Sequence, residues 1–149
     1  MILYWWRVVT KLTIRLEELI IAIQSSNMEL KIFYSKIEER LICVFDGLVD
    51  GKENSELIEE IECSDDYILV PNKYDVDEYS MMERFIYTIP SELIQSRLEE
   101  LIQGKGAFRR FKDAIINLGI TEEWYKFRDE CYNEFAKEWC EYHNIAFIE

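Results

Sequence analysis

The sequence contains a single histidine, His143, and none of its four cysteines forms a C-x-x-C pair. Cys140 and His143 are three residues apart and could share one face of a helix. Two ligands do not make a zinc site, and the other cysteine spacings match no zinc knuckle. We therefore expect no metal site, no cofactor and four reduced thiols that are mostly buried.

Recognisable catalytic motifs are also missing. The sequence has no P-loop, G-x-G-x-x-G, G-x-S-x-G or H-E-x-x-H pattern. The acidic pairs Asp65-Asp66 and Asp77-Glu78 could bind a hard cation, but they do not form a calcium-loop pattern. A nucleophile built from Cys140 and His143 has no supporting context. We assign no catalytic residue, and an enzyme of unrecognised type is the weakest of three functional hypotheses.

No apolar run is long enough to span a bilayer. The opening residues 1–10 are apolar, but such a run is too short for a transmembrane helix. They lack the charged region and the cleavage site of a signal peptide. We interpret them as an extra strand or a loosely attached extension, and we expect a cytoplasmic protein.

Positive charge is scarce, with 17 Lys and Arg against 30 Asp and Glu and a formal net charge of -13. This balance argues against direct binding of nucleic acid and against an anionic membrane surface, since both depend on neutralising negative groups. Apolar residues make up 49% of the 149 residues, which is enough for a core. We predict one domain over 1–149, with the extension 1–10, an α/β part 11–72 and a helical part 78–149.

Hydrophobic periodicity predicts an α+β fold. Steps of three and four predict a helix over about 15–25, and β-rich residues predict a hairpin over 30–45 that pairs with a strand at 66–70. From residue 80 the spacing is helical, with a capping box at Ser80 and breaks near Pro90 and Gly104. We expect a small antiparallel sheet with one N-terminal helix, followed by a mainly helical C-terminal half.

The last predicted helix, at roughly 122–142 with Thr121 as its cap, carries an aromatic stripe. Such stripes are usually core rather than a ligand platform. Asn144 is the predicted C′ residue just beyond the end of this helix, and residues 145–148 return to a sheet or pack as a tail. The stripe consists of Trp124, Phe127, Cys131, Phe135, Trp139 and Tyr142.

Residues 46–78 form an acidic run with only two lysines. Charge blocks usually form a solvated face, so we expect this run to face solvent and to concentrate mobility. The sharper hypothesis is an acidic surface that mimics nucleic-acid phosphate and inhibits a nucleic-acid-binding protein.

A basic segment at residues 104–112 stands out against the acidic background. Read as a helix from Gly106 to a C-terminal Gly119, it places its apolar residues in one arc of about 120°. A helix start with free N–H groups and nearby cations can bind a phosphate or a carboxylate. Alternatively, the cations pair with the chain's own carboxylates and clamp the fold. The candidate binding residues are Lys105, Gly106, Arg109, Arg110 and Lys112.

The same segment carries a family resemblance. The string GKGAFRRFKD at 104–113, followed by WYKFR at 124–128 and AKEW at 136–139, resembles an uncharacterised bacterial family, number one-five-eight of the UPF series. DYILVP at 66–71 and YSMMERF at 79–85 fit the same pattern, so the similarity covers roughly residues 11–147. The resemblance implies a small cytosolic bacterial domain and carries over no catalytic residue.

These observations favour a small acidic cytosolic binding or regulatory module. Its partner would be an unknown protein or an anionic ligand that contacts the basic segment, with no nucleic acid and no membrane involved. The acidic mimic is the alternative, and the oligomeric state is left open.

Overall fold

The computed structural model describes residues 12–149, and the apolar extension predicted at 1–10 lies outside them. The predicted α+β class is confirmed. The described strands are β1 Leu12–Arg15, β2 Lys31–Ser35, β3 Arg40–Phe45, β4 Leu48–Val49, β5 Lys52–Glu53, β6 Tyr67–Leu69 and β7 Ile145–Ile148. The described helices are α1 Leu16–Ser25, α2 Ser55–Cys63, α3 Glu78–Thr88, α4 Glu92–Leu101, α5 Ala107–Leu118 and α6 Thr121–Tyr142.

The chain divides into two compact units. The first takes in the residues up to Val76 together with Asn133–Glu149, and the second is Asp77–Tyr132. The long helix α6 contributes its first half to the second unit and its last half to the first. None of the described helices combines the length and the apolar character that crossing a membrane requires.

The first unit contains a five-stranded antiparallel sheet in the order β5-β4-β3-β2-β6. Phe33 of β2 lies opposite Ile42 of β3 and Leu69 of β6, which confirms that the hairpin and the third strand share one sheet. Ile42 packs in a core with Val49 and with Ile61 of helix α2. Two short strands, β4 and β5, extend the sheet beyond the three strands expected from the sequence.

A second sheet joins the two ends of the described chain. Strand β1 pairs in parallel with β7, with Leu12 opposite Ile145 and Arg15 opposite Ile148. Helix α1 follows β1 at once and buries Leu16, Leu19 and Ile23 at steps of three and four.

In the second unit, side-chain caps begin two of the helices. Asp77 accepts a hydrogen bond from the backbone N–H of Ser80 at 3.0 Å and caps α3. The capping box predicted at Ser80 is therefore wrong, because the helix begins two residues earlier and Ser80 lies in its first turn. Ser91 caps α4 by accepting from the N–H of Ile94 at 3.3 Å.

The aromatic stripe predicted on helix α6 is only partly buried. Cys131 and Cys140 are nine residues apart, about 180° around a helix, yet both are buried. Cys131 belongs to the second unit and Cys140 to the first. Of the predicted stripe, Trp124 and Cys131 are buried as expected, whereas the prediction is wrong for Tyr142, which is 82% exposed. Three further members of the stripe are half-buried, namely Phe127, Phe135 and Trp139.

The acidic run at 46–78 is mostly exposed, as predicted. It is distributed over β4, β5, α2, β6 and the start of α3. Several of its carboxylates shape the backbone: Asp50 accepts from the N–H of Cys43 at 2.9 Å, and Asp75 accepts from the N–H of Asn72 at 2.9 Å. The phosphate-mimic hypothesis stays a prediction.

Candidate functional site

A cavity of about 390 Å³ lies within the second unit, where side chains from α3, α5 and α6 converge. This volume falls within the usual range of small-molecule sites, roughly 300–1,000 Å³. Its lining combines cations, aromatic rings and one carboxylate: Glu78, Met82, Phe108, Arg109, Phe111, Lys112, Trp124, Tyr125 and Arg128.

Two of the cations that line the cavity have no partner within residues 12–149. Arg109 and Lys112 are exposed residues on α5, three positions apart, so their side chains emerge from neighbouring positions on the helix. Within residues 12–149, neither side chain forms an ion pair or a hydrogen bond. The alternative hypothesis, that these cations pair with carboxylates of the same chain, is therefore wrong for Arg109 and Lys112 within residues 12–149. Their charges are available to a ligand.

A packed aromatic cluster supports the cavity. The ring centroids of Phe111 and Trp124 lie 4.8 Å apart in an edge-on arrangement, and Phe85 lies 5.4 Å from Trp124. Phe111 and Trp124 are 1% and 5% exposed, so packing in the core fixes the part of the cavity lining that they form. Fixed walls lower the entropy cost of ligand binding, because fewer side chains must become ordered.

The third cation of the cavity is already matched by a carboxylate. Glu78 Oε1 accepts hydrogen bonds from Arg128 Nη2 at 2.8 Å and Arg128 Nε at 3.0 Å. It also accepts from the hydroxyl of Tyr132 at 2.7 Å, and that tyrosine is fully buried. We call these three residues the Glu78 triad. The triad joins α3 to α6 within the second unit.

The pKa shifts in the triad oppose proton transfer near neutral pH. Burial, followed by the hydrogen bond to Glu78, raises the pKa of Tyr132 far above its ordinary value. Burial alone would lower the pKa of Arg128, but the hydrogen bond and the charge of Glu78 outweigh it and raise that pKa. Both groups hold their protons more firmly than in water, whereas an acid–base catalyst needs a pKa near the working pH. The triad therefore has the properties of a structural element.

Arg110 has a different role from its neighbour Arg109. Its Nε donates to the carbonyl of Leu101 at 2.7 Å and its Nη2 to the carbonyl of Gln103 at 2.6 Å. Its Nη1 donates to the carbonyl of Lys105. Leu101 ends α4, where backbone carbonyls lack helical partners and the helix dipole attracts a cation. Arg110 thus caps α4 and fastens the loop that leads into α5.

Gly106 makes room for this contact. Its φ of 81° lies in the left-handed region, and a Cβ atom at this position would stand 2.8 Å from Nη1 of Arg110. A side chain here would be strained by the backbone conformation and would collide with the guanidinium group. The group that approaches the backbone of Gly106 closely is therefore Arg110 of the same chain.

The five candidate residues from the sequence thus fall into two groups. Arg109 and Lys112 line the cavity, whereas Lys105, Gly106 and Arg110 form the loop clamp. At 100° per residue, Arg110 lies on one flank of the apolar arc of α5, and Arg109 and Lys112 lie on the other flank, in agreement with this division. The sequence prediction did not name the other seven residues of the cavity as site members. Their three- and four-residue spacing indicated helices but did not connect them to one site: Glu78, Met82, Phe108, Phe111, Trp124, Tyr125 and Arg128.

The cysteines and the histidine form no site with one another. Cys131 and Cys140 are buried, but Cys43 and Cys63 are exposed, so the prediction of mostly buried thiols holds for only two of the four. Cys43 lies on a strand whose inward positions are taken by its neighbours, and Cys63 ends a largely exposed helix. Burial raises the pKa of Cys140 to about 11, which keeps it a protonated thiol. Among residues 12–149, no three acidic, Cys or His side chains are grouped so as to hold a metal ion.

His143 should make the free energy of unfolding depend on pH. Its ring packs on Trp139 at 4.7 Å, and burial together with the nearby Lys36 lowers its pKa below 6.5. The unfolded chain therefore binds a proton at higher pH than the folded chain does. The stabilising contribution is fully present above pH 6.5 and is lost as the pH falls through the lower, folded-state pKa.

Urea denaturation at pH 7.5 and pH 5.5 measures this effect. We expect the wild type to lose more stability over this interval than His143→Gln, which cannot titrate there. Equal losses in the two proteins would show that His143 does not carry the pH dependence.

Comparison with known proteins assigns the chain to a family. The family model described as "Uncharacterised protein family (UPF0158)" matches residues 9–149, which include every residue of the cavity. No curated protein and no solved structure matches the chain.

Proposed function

The chain belongs to the uncharacterised protein family UPF0158, and we propose that it is a non-catalytic binding module whose cavity takes a carboxylate or phosphate group. One observation carries the proposal: Arg109 and Lys112 share a cavity and have no partner within the described chain. Arginine offers a planar pair of donors to an oxyanion, and lysine adds a point charge beside it.

The charge of the rest of the protein limits the kind of anion that fits. With a formal net charge of -13, the chain repels an extended polyanion, because few cations could neutralise its phosphates. A single small anionic group needs only the two local cations. A partner protein would offer the same chemistry through one acidic side chain, so the two occupants differ in size and not in the group recognised.

The proposal is tested by following inorganic phosphate binding to the full chain by NMR. We expect phosphate to shift the Nε–H signal of Arg109 and the indole N–H signal of Trp124. Arg109→Gln combined with Lys112→Gln should weaken binding by about tenfold or more, because charge-assisted hydrogen bonds contribute roughly 1.5–3 kcal/mol each.

Arg97→Gln combined with Lys126→Gln is the matched control. Both are exposed residues of the second unit that do not line the cavity, and the net charge changes equally. If the control pair weakens phosphate binding as much as the cavity pair does, attraction is non-specific and the proposed site is wrong.

A further inference from the structure

Two of the aromatic rings that line the cavity are not packed into the core. Phe108 is 50% exposed and Tyr125 is 44% exposed, and both line the cavity. Among residues 12–149, neither ring contacts another ring or a cation, whereas Phe85, Phe111 and Trp124 pack together. A half-exposed phenylalanine leaves apolar surface in water, which is unfavourable for the protein alone.

The rings adjoin the unpaired cations. Phe108 precedes Arg109 directly and lies four residues before Lys112, so Phe108 and Lys112 are neighbours on the surface of α5. Tyr125 enters the same cavity from α6. One wall therefore offers positive charge, and the aromatic surface beside it is open to solvent.

The size of the cavity restricts the ligand. At about 390 Å³ it lies near the lower end of the range for small-molecule sites. One ring system joined to one anionic group fits this range, whereas a polymer is disfavoured by the charge of -13.

We infer that the ligand is a small molecule in which a planar ring is joined to a phosphate or carboxylate group. This inference rests on the proposed function. Arg109 and Lys112 bind the anionic group, and Phe108 and Tyr125 contact the face of the ring. Mononucleotides and simple aryl acids share this chemistry.

Methyl phosphate and phenyl phosphate form a matched pair of probes, since they carry the same anionic group with and without a ring. NMR titration of the full chain should give about tenfold tighter binding of phenyl phosphate, in the range that stacking on an aromatic side chain contributes. Ribose 5-phosphate and adenosine monophosphate form a second pair, which separates a nucleotide from a simple aryl acid. A ring preference in either pair supports the inference, and its absence from both overturns it.

The variant Phe108→Ala tests whether Phe108 is responsible for the preference for phenyl phosphate over methyl phosphate. It should remove most of the phenyl-over-methyl ratio while leaving the affinity for methyl phosphate nearly unchanged. Ile116→Ala, on the same helix at a 63% exposed position outside the cavity, should keep the ratio. If Phe108→Ala weakens both probes equally, Phe108 shapes the cavity without contacting a ring, and the inference is wrong.

The two proposals fail in different ways. Equal binding of all four probes at the cavity overturns the ring inference and leaves the anion site intact. If none of the four probes binds, the proposed function itself is wrong.

Discussion

Replacing Arg110 with alanine should lower the free energy of unfolding by about 3 kcal/mol, although the neighbouring Arg109→Ala should change it by less than about 0.5 kcal/mol. The guanidinium group of Arg110 donates to three backbone carbonyls at the end of α4 and in the loop that follows. Its loss leaves those carbonyls without their charged donor. Arg109 is exposed and has no partner within residues 12–149.

Urea denaturation of the two single variants measures this difference. Arg110→Lys should recover little of the lost stability, because one ammonium group cannot reach three carbonyls in the plane that a guanidinium group spans. If Arg109→Ala and Arg110→Ala destabilise the protein equally, the division of the basic segment into a binding pair and a loop clamp is wrong. The variants must be made singly, since a double replacement mixes the two roles.

Replacing Glu78 with alanine should have a similarly large effect, about 3 kcal/mol. The change removes the acceptor of the buried Tyr132 hydroxyl and leaves Arg128, whose side chain is 28% exposed, without its counter-charge. Removing one partner of a partly buried ion pair costs more free energy than the pair itself contributes to stability, because the remaining partners stay desolvated.

Two variants sharpen the measurement by thermal or urea denaturation. Tyr132→Phe should cost only about 1 kcal/mol, since it removes one hydrogen bond and leaves Glu78 paired with Arg128. Glu83→Ala deletes an exposed carboxylate from the same helix and should be nearly neutral. A small loss in Glu78→Ala, comparable with that in Glu83→Ala, would contradict a structural role for the triad.

Local signals in the sequence predicted much of the fold. Gly119 directly follows the last residue of α5 and has a φ of 70°, as a C-terminal glycine predicts, and Asn144 lies two residues beyond the end of α6 with a φ of 57°. The hairpin was readable from β-branched and aromatic residues. By contrast, the four-residue strand β1 pairs with β7 at the far end of the chain, and short apolar runs carry no signal of a distant partner.

The basic segment of the sequence contains part of the candidate cavity lining, but it does not show the different roles of its cations. The basic segment identified Arg109 and Lys112, which line the cavity. It did not separate them from Arg110, because the acceptors of Arg110 are backbone carbonyls, which every residue has. Nor did it connect α5 to Glu78 and Tyr125, because that convergence depends on tertiary packing of three helices.

The two buried cysteines of α6 have a consequence for measuring local opening. Cys131 and Cys140 are both buried thiols, and they lie in different units of the chain. A buried thiol reacts with an alkylating reagent only when the structure around it opens. The alkylation rates of the two thiols are therefore separate reporters of opening in the two units, read from one helix of one molecule without any introduced label.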